Sequence, residues 1–267
     1  MSAIPVEFAD SQEDKISTVF HQSTEGKTLL EAPFATYPDP NKKKPVAPSW
    51  HLVCVFLLLA AWAALSLYPR HYHFFGALPP RISGYLLVLL IEWFIFAFIW
   101  IGLRIQGVPF SSLFGQMSPK IRTILRDLGL ALIFLIVANV VLSLLGSLLH
   151  ISDHNAAVQQ LLPHTAAEVT AYLLVTLTAG ICEETIFRGY LQLQFTALTK
   201  SAAVGVVIQG IIFGLEHAYQ GWKMVAVITV YGCLFGTLAL RRGSLRPGII
   251  AHFLQDSVSG IFLARHL

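Results

Sequence analysis

The segment Val169–Gly189 reads VTAYLLVTLTAGICEETIFRG, an apolar run that ends in two adjacent carboxylates, Glu183 and Glu184, followed by Arg188. An uncharged run of this kind is typical of a helix in a membrane. A charged side chain within such a helix costs about 2.5–3.5 kcal/mol on insertion scales, and it indicates a functional site by default. The segment therefore predicts both a membrane helix and a site of chemistry.

The composition of the whole chain excludes a soluble domain of this length. Hydrophobic residues make up 55% of the 267 residues and charged residues only 12%, and the mean hydropathy is +0.65. We predict an all-α, polytopic transmembrane helical bundle of about seven spans (six to eight), although several runs are shorter than the ~20 residues of a perpendicular span. The runs are Leu52–Tyr68, Ile82–Gly102, Leu128–Leu149, Val169–Phe187, Ala202–His217, Met224–Leu240 and Ile249–Leu263.

The lysines and arginines predict the orientation, because positively charged short loops stay in the cytoplasm. With a cytoplasmic N terminus, fourteen of the eighteen lie inside, and the longest external loop, 150–168, has none. Residues 1–50 are polar and rich in turn formers, which predicts a disordered cytoplasmic tail. The first run lacks a small-residue cleavage site and is interpreted as a retained span. The net charge of +3 reflects topology, and no soluble basic domain suggests nucleic-acid binding.

Helical spacing separates the roles of the two carboxylates. Residues four apart share a face, so Glu184 and Arg188 can pair, whereas Glu183 lies about 100° away. A carboxylate offset from the pair is free to act as a general base. The alternative is a structural ion cluster at the cytoplasmic end of the helix.

Two later segments place histidines in apolar runs: Phe213-x-x-x-His217 and His252-x-x-x-Asp256. Imidazole can orient water, donate to an oxyanion or bind a metal. Asp256, one turn beyond His252, can orient that ring. Each histidine taken singly is more often a packed polar residue, and Phe213 is interpreted as a wall of a pocket.

The three motifs Glu-Glu-x-x-x-Arg, Phe-x-x-x-His and His-x-x-x-Asp, in this order on successive apolar segments, resemble the CPBP family of CAAX proteases and bacteriocin-processing (Abi-type) intramembrane proteases. The resemblance covers roughly Val169–Leu267, and residues 51–168 add only transmembrane helices. The third motif of the family often ends in Asn where this chain has Asp256. The implied catalytic set is Glu183, Glu184, Arg188, His217, His252 and Asp256.

The resemblance implies an intramembrane endopeptidase in a bacterial cytoplasmic membrane, with Glu183 activating water, His217 as its co-ligand, and His252 and Asp256 stabilising the oxyanion. Glu183, His217 and His252 could hold Zn²⁺ or polarise water without metal. The expected partner is a peptide or protein in or at the membrane: prenylated, a leader peptide or a membrane peptide. The alternative function is a catalytically silent scaffold or a bacteriocin-immunity binding protein.

Counting residues from the predicted helix starts places the two histidines at different depths in the membrane. His217 lies about 24 Å along its helix from a start near Ala202, at 1.5 Å per residue, whereas His252 lies near the start of its own run. Glu183 also lies at a shallow depth in the membrane unless its helix continues through residues 190–195. A tilted or late-starting fifth helix would also remove the difference in depth. We nevertheless expect Glu183, His217 and His252 around one cavity open to the cytoplasm.

The sequence also supports predictions for four other features. Glu92, in the middle of the second run, should face the protein interior, and a structural role is favoured over one beside the cavity. Glu216 is expected to reach the external interface, and Cys182 to be a packing residue. A metal ion on the external loop could be bound by His150, Asp153 and His154, but a polar helix end explains these residues as well.

Overall fold

A computed structural model describes residues 44–67, 78–115, 120–151 and 156–265, and within these ranges the chain is helical without strands. Each of the seven predicted runs overlaps one long helix. The helices are α1 Ser49–Ser66, α2 Pro80–Ile105, α3 Ile121–Leu148, α4 Ala166–Thr199, α5 Ala202–Glu216, α6 Trp222–Arg242 and α7 Arg246–Arg265. Shorter turns occupy Phe110–Phe114, Ala156–Gln159 and Ala218–Gln220.

Five of these helices, α1, α2, α3, α4 and α6, are long and apolar enough to cross a membrane. The other two carry parts of the predicted site: α5 has only 15 residues, and α7 contains His252 and Asp256. The predicted polytopic helical bundle is therefore confirmed, and the chain is an integral membrane protein.

The fourth helix is longer than the predicted run, which ended at Phe187. It begins at a capping box, in which the Thr165 side chain accepts from the Glu168 N–H and the Glu168 carboxylate accepts from the Thr165 N–H. It passes through a π-helical section at Glu184–Leu191 and continues to Thr199. π-Helical sections within α-helices are frequent at functional sites. Here the section begins at the second carboxylate of the motif.

Glycines bring α5 and α6 into close contact. A Cβ at Gly210 would lie 2.5 Å from Cys233 Sγ, and a Cβ at Gly232 would lie 3.0 Å from Gly210 Cα. In lipid, helices associate largely through the van der Waals packing that such a close backbone approach permits. It fixes the end of α5, and with it His217, against the start of α6.

The first helix overlaps the end of the predicted tail, because α1 begins at Ser49. Residues 1–43, the rest of the predicted tail, lie outside the described residues, as do Asp153 and His154 of the external metal hypothesis. Cys182 is fully buried in the apolar core, as expected of a packing residue.

Candidate active site

Glu183 and His217 lie at the same level because α4 and α5 form an antiparallel hairpin. Glu183 lies 16 residues before the end of α4 at Thr199, or about 24 Å. His217 lies 16 residues after Ser201, the N-cap of α5, or about 24 Å. The continuation of the fourth helix therefore resolves their apparent difference in depth.

His252 reaches the same region because α7 begins inside the protein. The Ser244 hydroxyl donates to the Phe114 carbonyl at 2.8 Å, and the Leu245 N–H donates to the Leu113 carbonyl at 3.1 Å. Ser244 and Leu245 are both buried beneath this Phe110–Phe114 turn. A helix that starts at Arg246 then places His252, two turns along, deep in the bundle.

A buried ion cluster forms the back of the site. Arg188 Nη1 lies 3.0 Å from Glu184 Oε1, and neither side chain is exposed. The guanidinium also donates to the Gly232 carbonyl at 3.3 Å and lies over the rings of Phe213 and Phe235, at 4.4 and 4.9 Å. The predicted pair is therefore present, and it lies within the helix and not at its end, where the alternative interpretation placed it, since α4 continues to Thr199.

His252 connects this cluster to the open side of the site. Its Nδ1 lies 3.2 Å from Glu184 Oε1, and its Nε2 lies 3.5 Å from both Glu183 Oε2 and Asp256 Oδ2. The expected contact between His252 and Asp256 is thus present. A ring surrounded by three carboxylates is stabilised in its protonated form by their charge.

Of the two adjacent carboxylates Glu183 and Glu184, Glu183 is the one that faces a cavity of about 670 Å³. Its side chain is 20% exposed, whereas that of Glu184 is fully buried. His217, His252 and Asp256 line the same cavity. The structure therefore brings the predicted acid, histidines and Asp256 together, with Glu184 and Arg188 behind them.

The orientation of His217 is set by its own helix. Its Nδ1 lies 2.8 Å from the Phe213 carbonyl, which can only accept, so Nδ1 carries a proton. Nε2 is then free to accept from a water in the cavity. The Phe213 ring packs 4.9 Å from the His217 ring and 6.1 Å from the His252 ring, and it lines the cavity, which confirms the interpretation of Phe213 as a wall of the pocket.

Two further carboxylates line the cavity, Glu92 and Glu216. The expectation that Glu216 reaches the external interface is wrong, since the residue is only 9% exposed. Glu92 faces the interior as expected, and it lies on the cavity wall, with no hydrogen bond to Oε2 from the part of the chain that the structure describes. The clue to Glu216 was its position beside His217 at the end of an apolar run.

The sequence also contains a periodic pattern of cavity-lining residues that the three motifs alone did not reveal. One stripe of α4 lines the cavity at Tyr172, Thr176, Ala179 and Glu183, and one stripe of α7 does so at His252, Asp256, Ser259 and Leu263. The spacing i, i+4, i+7 and i+11 keeps these residues on one helix face. Polar residues in that register were the signal for the cavity.

The cavity extends to the end of the bundle that carries few basic residues. Its lining includes Trp62 near the end of α1, Gln159 before α4, and Gln220 between α5 and α6. Lys120, Lys200 and Arg242 lie at the opposite ends of the helices. If the cavity opens at this end, it lies on the opposite side of the membrane from the N terminus, so the expectations of a cytoplasmic N terminus and of a cavity open to the cytoplasm conflict.

The zinc hypothesis depends on the positions of Glu183, His217 and His252. Among the described residues, no three His, Cys, Asp or Glu side chains form a group that could hold a metal ion. Both ring nitrogens of His252 already face carboxylates. In this arrangement Glu183, His217 and His252 do not form a ligand set.

The motif region matches a known family. Residues 165–258 match the family model described as type II CAAX prenyl endopeptidase Rce1-like. This range contains all six predicted catalytic residues. No curated protein and no solved structure gave a significant match. The match confirms, over residues 165–258, the resemblance seen in the three motifs.

Proposed function

We propose that the protein is an intramembrane endopeptidase that hydrolyses a peptide bond of a membrane-associated substrate. The observation that carries the proposal is the convergence of Glu183, His217, His252 and Asp256 on one cavity inside a helical membrane protein. The match to a protease family over the same residues supports the reaction class. A cavity of about 670 Å³ is within the usual size of a ligand site and can admit a short extended peptide.

The reaction follows from the positions of these groups. A water held between Glu183 and Nε2 of His217 loses a proton to Glu183 as its oxygen bonds to the scissile carbonyl carbon. The carbonyl oxygen becomes an oxyanion, and the protonated His252 stabilises it. Glu183 then returns the proton to the amide nitrogen as the C–N bond breaks. The products are a free carboxyl end and a free amine.

Glu184 and Arg188 position the reacting groups without touching the substrate. Glu184 holds Nδ1 of His252, so the opposite nitrogen faces Glu183 and the cavity. Arg188 holds Glu184 and is itself fixed by the Gly232 carbonyl and two aromatic rings. A ligand held by such a chain of partners keeps its orientation.

Zinc is kept as a second form of the same proposal. If bound by Glu183, His217 and His252, it would supply Lewis-acid activation of water. Binding would require His217 to approach the other two residues and Nε2 of His252 to leave its carboxylates. Metal analysis of the purified protein, followed by a peptidase assay with and without a chelator, tests it. Stoichiometric zinc with chelator-sensitive activity supports the metal form, and full activity in metal-free protein refutes it.

The setting of the proposed enzyme is a bacterial cytoplasmic membrane with the N terminus in the cytoplasm. The basic residues at one end of the bundle support this orientation. The decisive experiment is reconstitution of the purified protein in liposomes with a library of prenylated peptides, leader peptides and membrane peptides. Cleavage by wild type and none by Glu183→Gln supports the endopeptidase. Tight binding without cleavage of any peptide would favour the scaffold or immunity protein.

A further inference from the structure

We infer that the catalytic cavity opens on the non-cytoplasmic side of the membrane, so that the substrate is a peptide segment presented from that side. The inference rests on the proposed endopeptidase function for its substrate. Its structural basis, the relation between the cavity and the basic residues, is independent of catalysis.

The first observation is that the cavity lining is concentrated toward one end of the bundle. The lining uses the second half of α1, the first part of α2, the first half of α6 and the later part of α7. It also uses the Ala156–Gln159 turn and the Ala218–Gln220 turn, which lie outside the long helices at that end. We call this the cavity end and the other the basic end.

The second observation is the distribution of positive charge between these ends. In the described ranges, the cavity end has three basic residues, Arg81, Lys223 and Arg265. The basic end has nine, which are Lys44, Arg104, Lys120, Arg122, Arg126, Lys200, Arg241, Arg242 and Arg246. An excess of this size in short loops predicts that the basic end is cytoplasmic.

Ion pairs do not remove this bias. Asp127 contacts both Arg242 and Arg246, at 2.6 and 2.9 Å, and lowers the net charge of the basic end by one. Glu168 does the same at the cavity end, where it lies 3.8 Å from Arg81. The rule counts lysines and arginines rather than net charge, and acidic residues contribute little to it.

The consequence concerns the class of substrate. A soluble peptide that stays in the cytoplasm would have to cross the bilayer to reach Glu183 from the cavity end. A segment of a secreted or membrane-spanning protein reaches that end directly. The geometry therefore favours an exported peptide or the non-cytoplasmic flank of a membrane helix over the cytoplasmic C-terminal peptide of a prenylated protein.

Cysteine accessibility in a bacterial host tests the inference. Val175 lies on the cavity wall of α4, and Gln159 lies at the cavity end. Val175→Cys and Gln159→Cys are treated with a membrane-impermeant, positively charged thiol reagent in intact cells and in inside-out vesicles. Arg241→Cys, which is exposed at the basic end, is the matched control. The wild-type protein measures any background from Cys54, Cys182 and Cys233, and elution from a sizing column in detergent reports folding.

We expect the two cavity-end cysteines to react in intact cells and at least tenfold more slowly in inside-out vesicles, with the reverse for Arg241→Cys. Reaction of Val175→Cys and Gln159→Cys only in inside-out vesicles, or from neither side, would overturn the inference. The labelling experiment requires no catalytic turnover, so it decides the sidedness of the cavity separately from the endopeptidase proposal. If labelling is as expected and no peptide is cleaved, the function fails while the sidedness holds.

Discussion

The Nε2 atom of His252 lies 3.5 Å from Oε2 of Glu183, across the interface between the fourth and the last long helix. Gly180 permits this close approach, because a Cβ there would lie 3.1 Å from the carbonyl oxygen of Ile249. Glu183 thus has a proton-accepting oxygen on the cavity and a histidine at its side. In the proposed reaction Glu183 and His252 have different tasks: the carboxylate takes the proton, and the imidazole stabilises the oxyanion.

Replacement of Glu183 by Gln should remove peptidase activity without loss of folding. The amide has the size of the carboxylate but cannot take a proton from water, so we expect a loss of about 100-fold or more in kcat. Because the side chain lies on the cavity and His252 keeps its contacts with Glu184 and Asp256, the melting temperature should stay near that of wild type. Peptidase assay and thermal unfolding in detergent measure the two effects. Full turnover by the Gln variant would refute the assignment of the base.

The buried pair should matter for both stability and activity. Glu184→Gln and Arg188→Lys each disrupt a fully buried contact, and breaking such a pair costs about 3–5 kcal/mol. Lysine cannot reproduce the planar contacts of the guanidinium with Gly232 and the aromatic rings. We expect lower melting temperatures and reduced kcat for both variants.

A partly exposed ion pair provides the control for these variants. Arg81 lies 3.8 Å from Glu168, and the arginine side chain is 36% exposed. Pairs of this kind contribute at most about 1 kcal/mol, so Arg81→Lys should melt close to wild type. Equal melting of Arg81→Lys, Glu184→Gln and Arg188→Lys would contradict a structural role for the buried pair.

The two histidines should act as one unit. If His217 holds the water and His252 stabilises the oxyanion of the same reaction, either His217→Ala or His252→Ala should already reduce kcat strongly. The double variant should then be only slightly worse than the more damaged single one, because residues that act together are non-additive. A double loss equal to the product of two modest single losses would mean that the histidines act independently.

Gly248 should be required for the position of Glu184. A Cβ at Gly248 would lie 2.7 Å from Glu184 Oε2 and 3.3 Å from its carboxyl carbon. Gly248→Ala should therefore displace the carboxylate from His252 and lower both kcat and the melting temperature. Activity and thermal unfolding, measured side by side, check this result.

Gly146→Ala on α3 is the matched control, since a Cβ there meets no atom within 4 Å. Alanine in a helix interior is favoured over glycine by roughly 0.5–1 kcal/mol, so this variant should be as stable as wild type or slightly more stable. Similar losses in Gly146→Ala and Gly248→Ala would show that helical glycine itself, and not the space beside Glu184, is required.

The local features of this protein were readable from its sequence. The apolar runs predicted the helices because a backbone in lipid must satisfy its hydrogen bonds within each span. Helical spacing gave the Glu184–Arg188 pair and the contact of His252 with Asp256, since both are separated by one turn of the same helix. The three motifs together gave the family resemblance.

The tertiary structure decided how these local features meet. Residue counting could not place His252, because the depth of α7 depends on hydrogen bonds from Ser244 and Leu245 to the distant Phe110–Phe114 turn. It also could not find Glu216 in the cavity or the end of the bundle toward which the cavity lies. Those properties depend on the packing of several helices, whereas the periodicity of one helix fixes only which of its own residues share a face.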